Sequence, residues 1–200
     1  MLCVRSRLFC LYVLVGITLI ACGGSDAGSS ADATATTETV ADPAERVLQP
    51  LVAGREFTAP DGRYSLRVPA DWIKEERTLA DLSFHSSAPG ADVRFNVTSE
   101  DNRSTRTLQG YAEAARQSVE ETFTNVLSVS FTTVQVGDQA AIRWMYTASV
   151  NSASRLYYQI YVVEPGRAYV LTGIAPADAS FDETRATFDA VAGSFKLGRG

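Results

Sequence analysis

Leu156-Tyr157-Tyr158-Gln159-Ile160-Tyr161-Val162-Val163, the turn residues Pro165-Gly166, and then Ala168-Tyr169-Val170-Leu171 decide the fold class. Both runs are rich in the β-branched and aromatic residues that suit strands. Successive side chains of a strand point to opposite faces of its sheet. Here apolar or aromatic residues stand at both parities, which is the pattern of strands covered on both faces. This pair therefore belongs inside a sheet with something packed on each side.

Two more β runs precede it. Leu127 to Val136 ends at Gly137-Asp138, and Ala140 to Val150 ends at Asn151-Ser152. With Arg155 to Val163 and Ala168 to Ala175 they make four strands joined by short turns, an antiparallel meander. Two helices are available to cover it. Leu108, Tyr111, Ala112, Ala115, Val119 and Phe123 recur at helical spacing behind Thr107, an N-cap residue. Ser180-Phe181-Asp182-Glu183 is a capping box; Phe181, Phe188, Val191 and Ala192 then share one side, and Gly193 ends the helix.

Toward the N-terminus, Tyr64 to Val68 alternates as a strand after the Asp61-Gly62 turn and stops at Pro69. Further strands are expected from about Leu79 to His85 and from Asp92 to Ser99. The whole stretch from Phe57 to Trp72, FTAPDGRYSLRVPADW, reads as an aromatic, a turn, a strand, a proline and a tryptophan. That pattern resembles the opening of PsbP-like domains, and the later elements follow in the same order over about residues 55–197. The resemblance implies an α+β fold, an antiparallel β-sheet flanked by helices in an α/β/α sandwich. Trp72 is expected beneath the first turn. Members of that family include a photosystem II extrinsic subunit, a regulator of the nuclear-import GTPase Ran and bacterial envelope lipoproteins. It implies a binding or assembly module rather than an enzyme.

Ahead of the domain, Arg5 and Arg7 lead into an apolar run from Leu8 to Ile20, and Leu19-Ile20-Ala21-Cys22 resembles the lipobox of bacterial lipoproteins. The run is shorter than the roughly 20 residues of a membrane span. Residues 1–21 are therefore expected to be a lipoprotein signal peptide and Cys22 the lipidated residue; the alternative is an uncleaved signal anchor. Residues 22–52 read as a disordered tether, small and polar at Gly23 to Ser30 and at Ala33 to Thr37. Ala44 to Leu48 is expected as a frayed helical turn, and residues 53–200 as the folded domain. Two or three acyl chains give stable anchoring to a cell membrane or outer membrane, facing the periplasm or the exterior. Gly23, where an aspartate would signal inner-membrane retention, points to the outer membrane in a cell that has one.

Composition narrows the chemistry. Cys3, Cys10 and Cys22 are the only cysteines, so the domain has no disulfide, no Cys nucleophile and no thiolate metal site. A region of about 150 residues can rely on its core, burying roughly 70% of its unfolded surface. Of the 18 Lys and Arg, Arg5 and Arg7 precede Cys22, while all 23 Asp and Glu follow it; the remaining 16 against 23 give −7. That charge argues against nucleic acid as a partner and against direct docking on anionic lipid heads.

The lone histidine, His85, sits near Ser83, Ser86 and Ser87, and Asp81 or Asp92 completes a triad on paper; a partly exposed strand-end histidine is the plainer reading. The H-E-x-x-H, S-x-x-K, G-x-G-x-x-G and P-loop patterns are absent. Glu100-Asp101-Asn102 offers three oxygens where calcium takes six to eight. No cofactor or metal is expected. Trp144, Tyr146, Tyr157 and Tyr161 are candidates to line a ligand cleft, with sheet core as their alternative role. The expectation is a non-catalytic module tethered through Cys22 that binds an envelope protein. The alternatives are a carrier of a lipid or other apolar small molecule, and a hydrolase centred on His85.

Overall fold

The computed structural model describes residues 46–102, 106–150, 153–177 and 181–198. The signal peptide, Cys22, the tether up to residue 45, the Asn151-Ser152 turn and the capping residue Ser180 lie outside the described residues. The elements run β1 (Arg46–Val47), β2 (Arg55–Thr58), β3 (Tyr64–Val68), β4 (Trp72–Glu75), β5 (Leu82–Ser86), β6 (Arg94–Asp101) and α1 (Leu108–Thr122). They continue with β7 (Thr124–Val136), β8 (Gln139–Val150), β9 (Ala153–Glu164), β10 (Arg167–Pro176), α2 (Phe181–Gly193) and β11 (Lys196–Leu197).

The meander forms as read. The strands β7 to β10 pair in sequence order, and an eight-stranded sheet is completed in the order β1-β7-β8-β9-β10-β6-β5-β4. Every neighbouring pair is antiparallel except β1 with β7. The β9–β10 turn places Gly166 at φ 82, the left-handed position a glycine fills without a Cβ clash.

Both faces of the central strands are covered, and the two parities go to different cores. Tyr158, Ile160 and Val162 of β9, with Tyr169 and Leu171 of β10, pack against Phe188, Val191 and Ala192 of α2. Tyr157 and Tyr161, with Trp144, Tyr146 and Val170, pack against Tyr111, Ala112, Ala115 and Val119 of α1. Thr107 caps α1, its hydroxyl accepting from the Gly110 amide at 3.2 Å. Gly173 leaves room for α2: a Cβ there would stand 2.6 Å from the Phe188 ring.

The fold is mostly antiparallel sheet with two helices. Where the resemblance implies an α/β/α sandwich, the layer holding α2 also contains a small sheet, β11-β3-β2. The strand Tyr64–Val68 belongs to that small sheet. Ser194 ties it down, its hydroxyl accepting from the Arg67 amide at 2.8 Å. Phe195 packs on Tyr64 and Tyr169.

Three further boundaries differ from the sequence reading. Arg46–Val47, expected in a helical turn, is a strand pairing with Val134 and Gln135. Leu48 is 3% exposed, and the Leu51 amide donates to the Ala190 carbonyl at 2.8 Å. Among the described residues the chain thus joins the fold from Arg46 on, because the edge of β7 offers backbone groups and the α2-side core a slot for Leu48. Trp72–Glu75 is an unforeseen strand. Its Trp72, expected under the first turn, lies in the core 6.3 Å from Phe95 and 6.4 Å from Phe188. The following strand starts at Leu82, not Leu79, which is half exposed in the β4–β5 connection. Among the described residues no helix is long and apolar enough to cross a membrane.

Candidate functional site

On the α1 side of the sheet, α1 covers β7 to β9 and leaves β10 and β6 open. The result is a trough of about 1200 Å³. One wall is α1, through Tyr111, Ala115 and Ser118; the other is the β4–β5 connection, Glu76 to Ala80. Strand pairing builds the floor. Gln159 stands opposite Thr172, Thr172 opposite Asn96, and Asn96 opposite Ser83, a polar row crossing β9, β10, β6 and β5. Val170 and Ile174 flank this row on β10.

Gln159 is the unusual member. It is 3% exposed, and its Oε1 accepts from the Tyr161 hydroxyl at 2.5 Å. The residue also lines the open trough. Ser83 donates to Asn96 Oδ1 at 2.6 Å.

The rim is charged, and most of its charges pair with one another. Glu75 Oε2 accepts from Arg77 at 2.9 Å and stands 3.6 Å from Arg94, while its Oε1 lies 2.8 Å from His85 Nδ1. That last contact is a hydrogen bond when Nδ1 carries the proton; with the proton on Nε2, Nδ1 is buried without a partner. Partial burial raises the Glu75 pKa, but the hydrogen bond and charge of Arg77, then Arg94 and His85, outweigh it and hold the carboxyl below the usual range. Asp92 joins Arg155 at 2.5 Å and Arg94 at 3.4 Å. Against the burial that raises it, these two arginines keep its pKa low as well. At the other end the Tyr111 hydroxyl donates to Glu100. Burial first, and Glu100 second, push the Tyr111 phenol far up, so it remains a neutral donor.

The four aromatics named from sequence divide. Tyr146 and Tyr157 line the trough, yet are only 1% and 3% exposed; Trp144 and Tyr161 are fully buried away from it. Trp144 stacks on Tyr146 at 4.0 Å and Tyr146 on Tyr157 at 5.0 Å, a packed row beneath α1. The Trp144 Nε1 is taken by Ser128 at 3.1 Å. These rings support the floor instead of presenting open faces.

The sequence missed Gln159, Thr172, Asn96 and the rim. One signal was there: Gln159 is the only strongly polar residue in the run Leu156–Val163.

His85 does not meet the proposed triad partners. Asp81 is within 3.4 Å of the Tyr64 hydroxyl, and Asp92 is held by two arginines. In the Glu100-Asp101-Asn102 stretch each side chain has a protein partner: Tyr111, Arg167, and the Arg106 backbone. Among the described residues no three His, Cys, Asp or Glu side chains gather closely enough to hold a metal ion.

This sheet with one helix on each face is the fold of PsbP-like proteins. The PsbP of the cyanobacterium Synechocystis superposes with a TM-score of 0.58 at 15% identity, over 72% of this chain and 91% of its own. The Ran-binding protein Mog1p of Saccharomyces cerevisiae gives 0.54 at 10% identity, over 72% and 95%. LpqN of Mycobacterium tuberculosis, described as involved in cell envelope biogenesis, gives 0.53 at 17% identity, over 72% and 91%. At such identities the likeness is one of fold. The chain belongs to the family of serine/threonine kinase C-terminal domains, whose pattern matches residues 58–197. No curated protein matches the chain.

Proposed function

We propose that this chain is a non-catalytic binding module of the cell envelope, held at a membrane by lipid on Cys22, and that the trough beside α1 receives an envelope protein partner. The observation that carries the reading is the trough itself: open, floored by a polar row, and rimmed by arginines and carboxylates, most of them paired with one another. It has the makings of a recognition surface and lacks, among the described residues, a nucleophile paired with a base. Family membership supports it, since a domain appended at the C-terminus of a kinase has its catalysis supplied elsewhere. The envelope role stated for LpqN is in keeping with the lipobox-like Leu19-Ile20-Ala21-Cys22. A tether would raise the effective concentration of the domain near membrane partners and make weak contacts useful. The carrier reading is less favoured, because Trp144 and Tyr161 fill core instead of lining a cavity.

The test is in-cell crosslinking of the intact chain followed by mass spectrometry. One specific envelope protein at near-stoichiometric yield is expected. Recovery of the chain with bound lipid and no protein would replace this reading with the carrier.

A further inference from the structure

On the sheet face away from the trough, we infer a second site, one that binds an oxyanion between α2 and the β7–β8 pair. Four buried polar atoms there have no hydrogen-bond partner among the described residues: Ser130 Oγ, Thr132 Oγ1, Arg143 Nε and Arg185 Nε. A polar atom kept from water and left unpaired costs free energy, and folded chains leave few of them. Four at one junction point to an occupant that meets them.

Register and helical spacing bring the four together. Ser130 and Thr132 are two apart on β7, and from Ser130 onward the β7–β8 register is unbroken. They therefore point to one face, ~6.6 Å apart. Thr132 stands directly opposite Arg143 on β8. Arg143 Nη1 reaches Asp189 of α2 at 2.9 Å, which fixes that face as the α2 side. Arg185 precedes Asp189 by four residues, one helical turn, so the two share a face of α2. Burial, and then Asp189, push the Tyr158 phenol up, while Arg143 and Arg185 both oppose them; the two guanidiniums thus stand near the same hydroxyl.

The chemistry of these atoms selects the occupant. A guanidinium Nε only donates, and a hydroxyl donates to any acceptor that faces it. The Arg143 side chain is 7% exposed and cannot turn to bulk water for a partner. Two guanidiniums face one inward carboxylate, Asp189. The other acid beside Arg185, Asp182, is 87% exposed and reaches only Nη2, at 3.3 Å. The junction therefore carries positive charge in excess, which disfavours a cation and favours an anion. An anion with several oxygens, of the phosphate or sulfate type, accepts at once from donors on β7, β8 and α2. A path from solvent exists, since the side chains of Asp189 and Arg185 are 20% and 27% exposed.

Isothermal titration calorimetry of the full chain in mild detergent tests the site, with inorganic phosphate and glycerol 3-phosphate titrated separately at fixed ionic strength. Saturable binding of inorganic phosphate to one site is expected. Binding of the ester as well assigns the site to an organic phosphate, and binding of the inorganic ion alone to a free anion; either supports the inference. Arg185→Gln should weaken binding at least tenfold, the worth of a charge-assisted hydrogen bond, and Thr132→Val about fivefold, the worth of a neutral one. Thr132→Val keeps the side chain's shape and removes only an unpaired hydroxyl from the free protein, so its melting temperature without phosphate should not fall. An unchanged circular dichroism spectrum confirms the folding of both variants. No saturable heat with either anion would overturn the inference, the four atoms then meeting only water. Binding that either variant leaves at full strength would overturn it too, by placing the anion elsewhere.

Discussion

Replacing Asp189 by alanine removes the central acceptor between α2 and the large sheet. Arg143 Nη1 donates to its two oxygens at 2.9 and 3.3 Å, and the Tyr158 hydroxyl donates to Oδ1 at 2.7 Å. The Arg143 side chain is 7% exposed and that of Asp189 20%. Removing one partner of a buried pair strands the other charge and costs about 3–5 kcal/mol. The partial exposure of Asp189 admits water and sets the value near the lower end. The orphaned Tyr158 hydroxyl adds about 1 kcal/mol. The sum is about 4 kcal/mol, a large share of the stability of an ordinary domain. For a folded body of about 150 residues each kcal/mol lowers Tm by roughly 2–4 °C, so a fall on the order of 10 °C is expected. Calorimetry and urea titration of the full chain measure it. The matched control is Arg143→Met with Asp189→Leu and Tyr158→Phe, which should recover most of the loss, because apolar residues of similar volume often replace a buried pair without penalty. A loss below about 1 kcal/mol for Asp189→Ala, or a triple variant no more stable than the single one, would refute the reasoning.

Gly173→Ala should destabilise by about 1–3 kcal/mol, since the new Cβ would lie 2.6 Å from the Phe188 ring; an unchanged urea midpoint would show that α2 shifts freely. Glu75→Gln tests the rim. The folded pKa of Glu75 lies below the ordinary 4.5, so its contribution is present above that pH and is lost as pH falls through the lowered value. The variant should be less stable than the parent at neutral pH and converge with it on acidification, and a gap constant with pH would exclude the pairing. Cys22→Ala should move the protein from the membrane fraction to the soluble one; an unchanged distribution would remove the proposed anchor.

Local rules made much of this protein legible. The period-two pattern with apolar residues at both parities in Leu156–Val163 required cover on both faces of the sheet, and α1 and α2 provide it. Turn chemistry at Gly137 and Gly166, and the Thr107 cap, placed hairpins and helix starts, because such signals depend on a few neighbouring residues. Tertiary structure alone decided which distant edges meet. The pairing of β10 with β6, which builds the trough floor, joins residues some 70 positions apart, and nothing in either strand names the other. The same holds for Tyr64–Val68 joining a separate sheet, for Leu48 completing the core, and for Arg143 finding Asp189. The candidate site belongs to this second kind. Asn96, Thr172 and Gln159 are ordinary polar residues of three strands until long-range register sets them in one row, and α1 stops short of covering β10 and β6. A side chain's face is written in the alternation of its own strand; its neighbours are set by the packing of the whole chain.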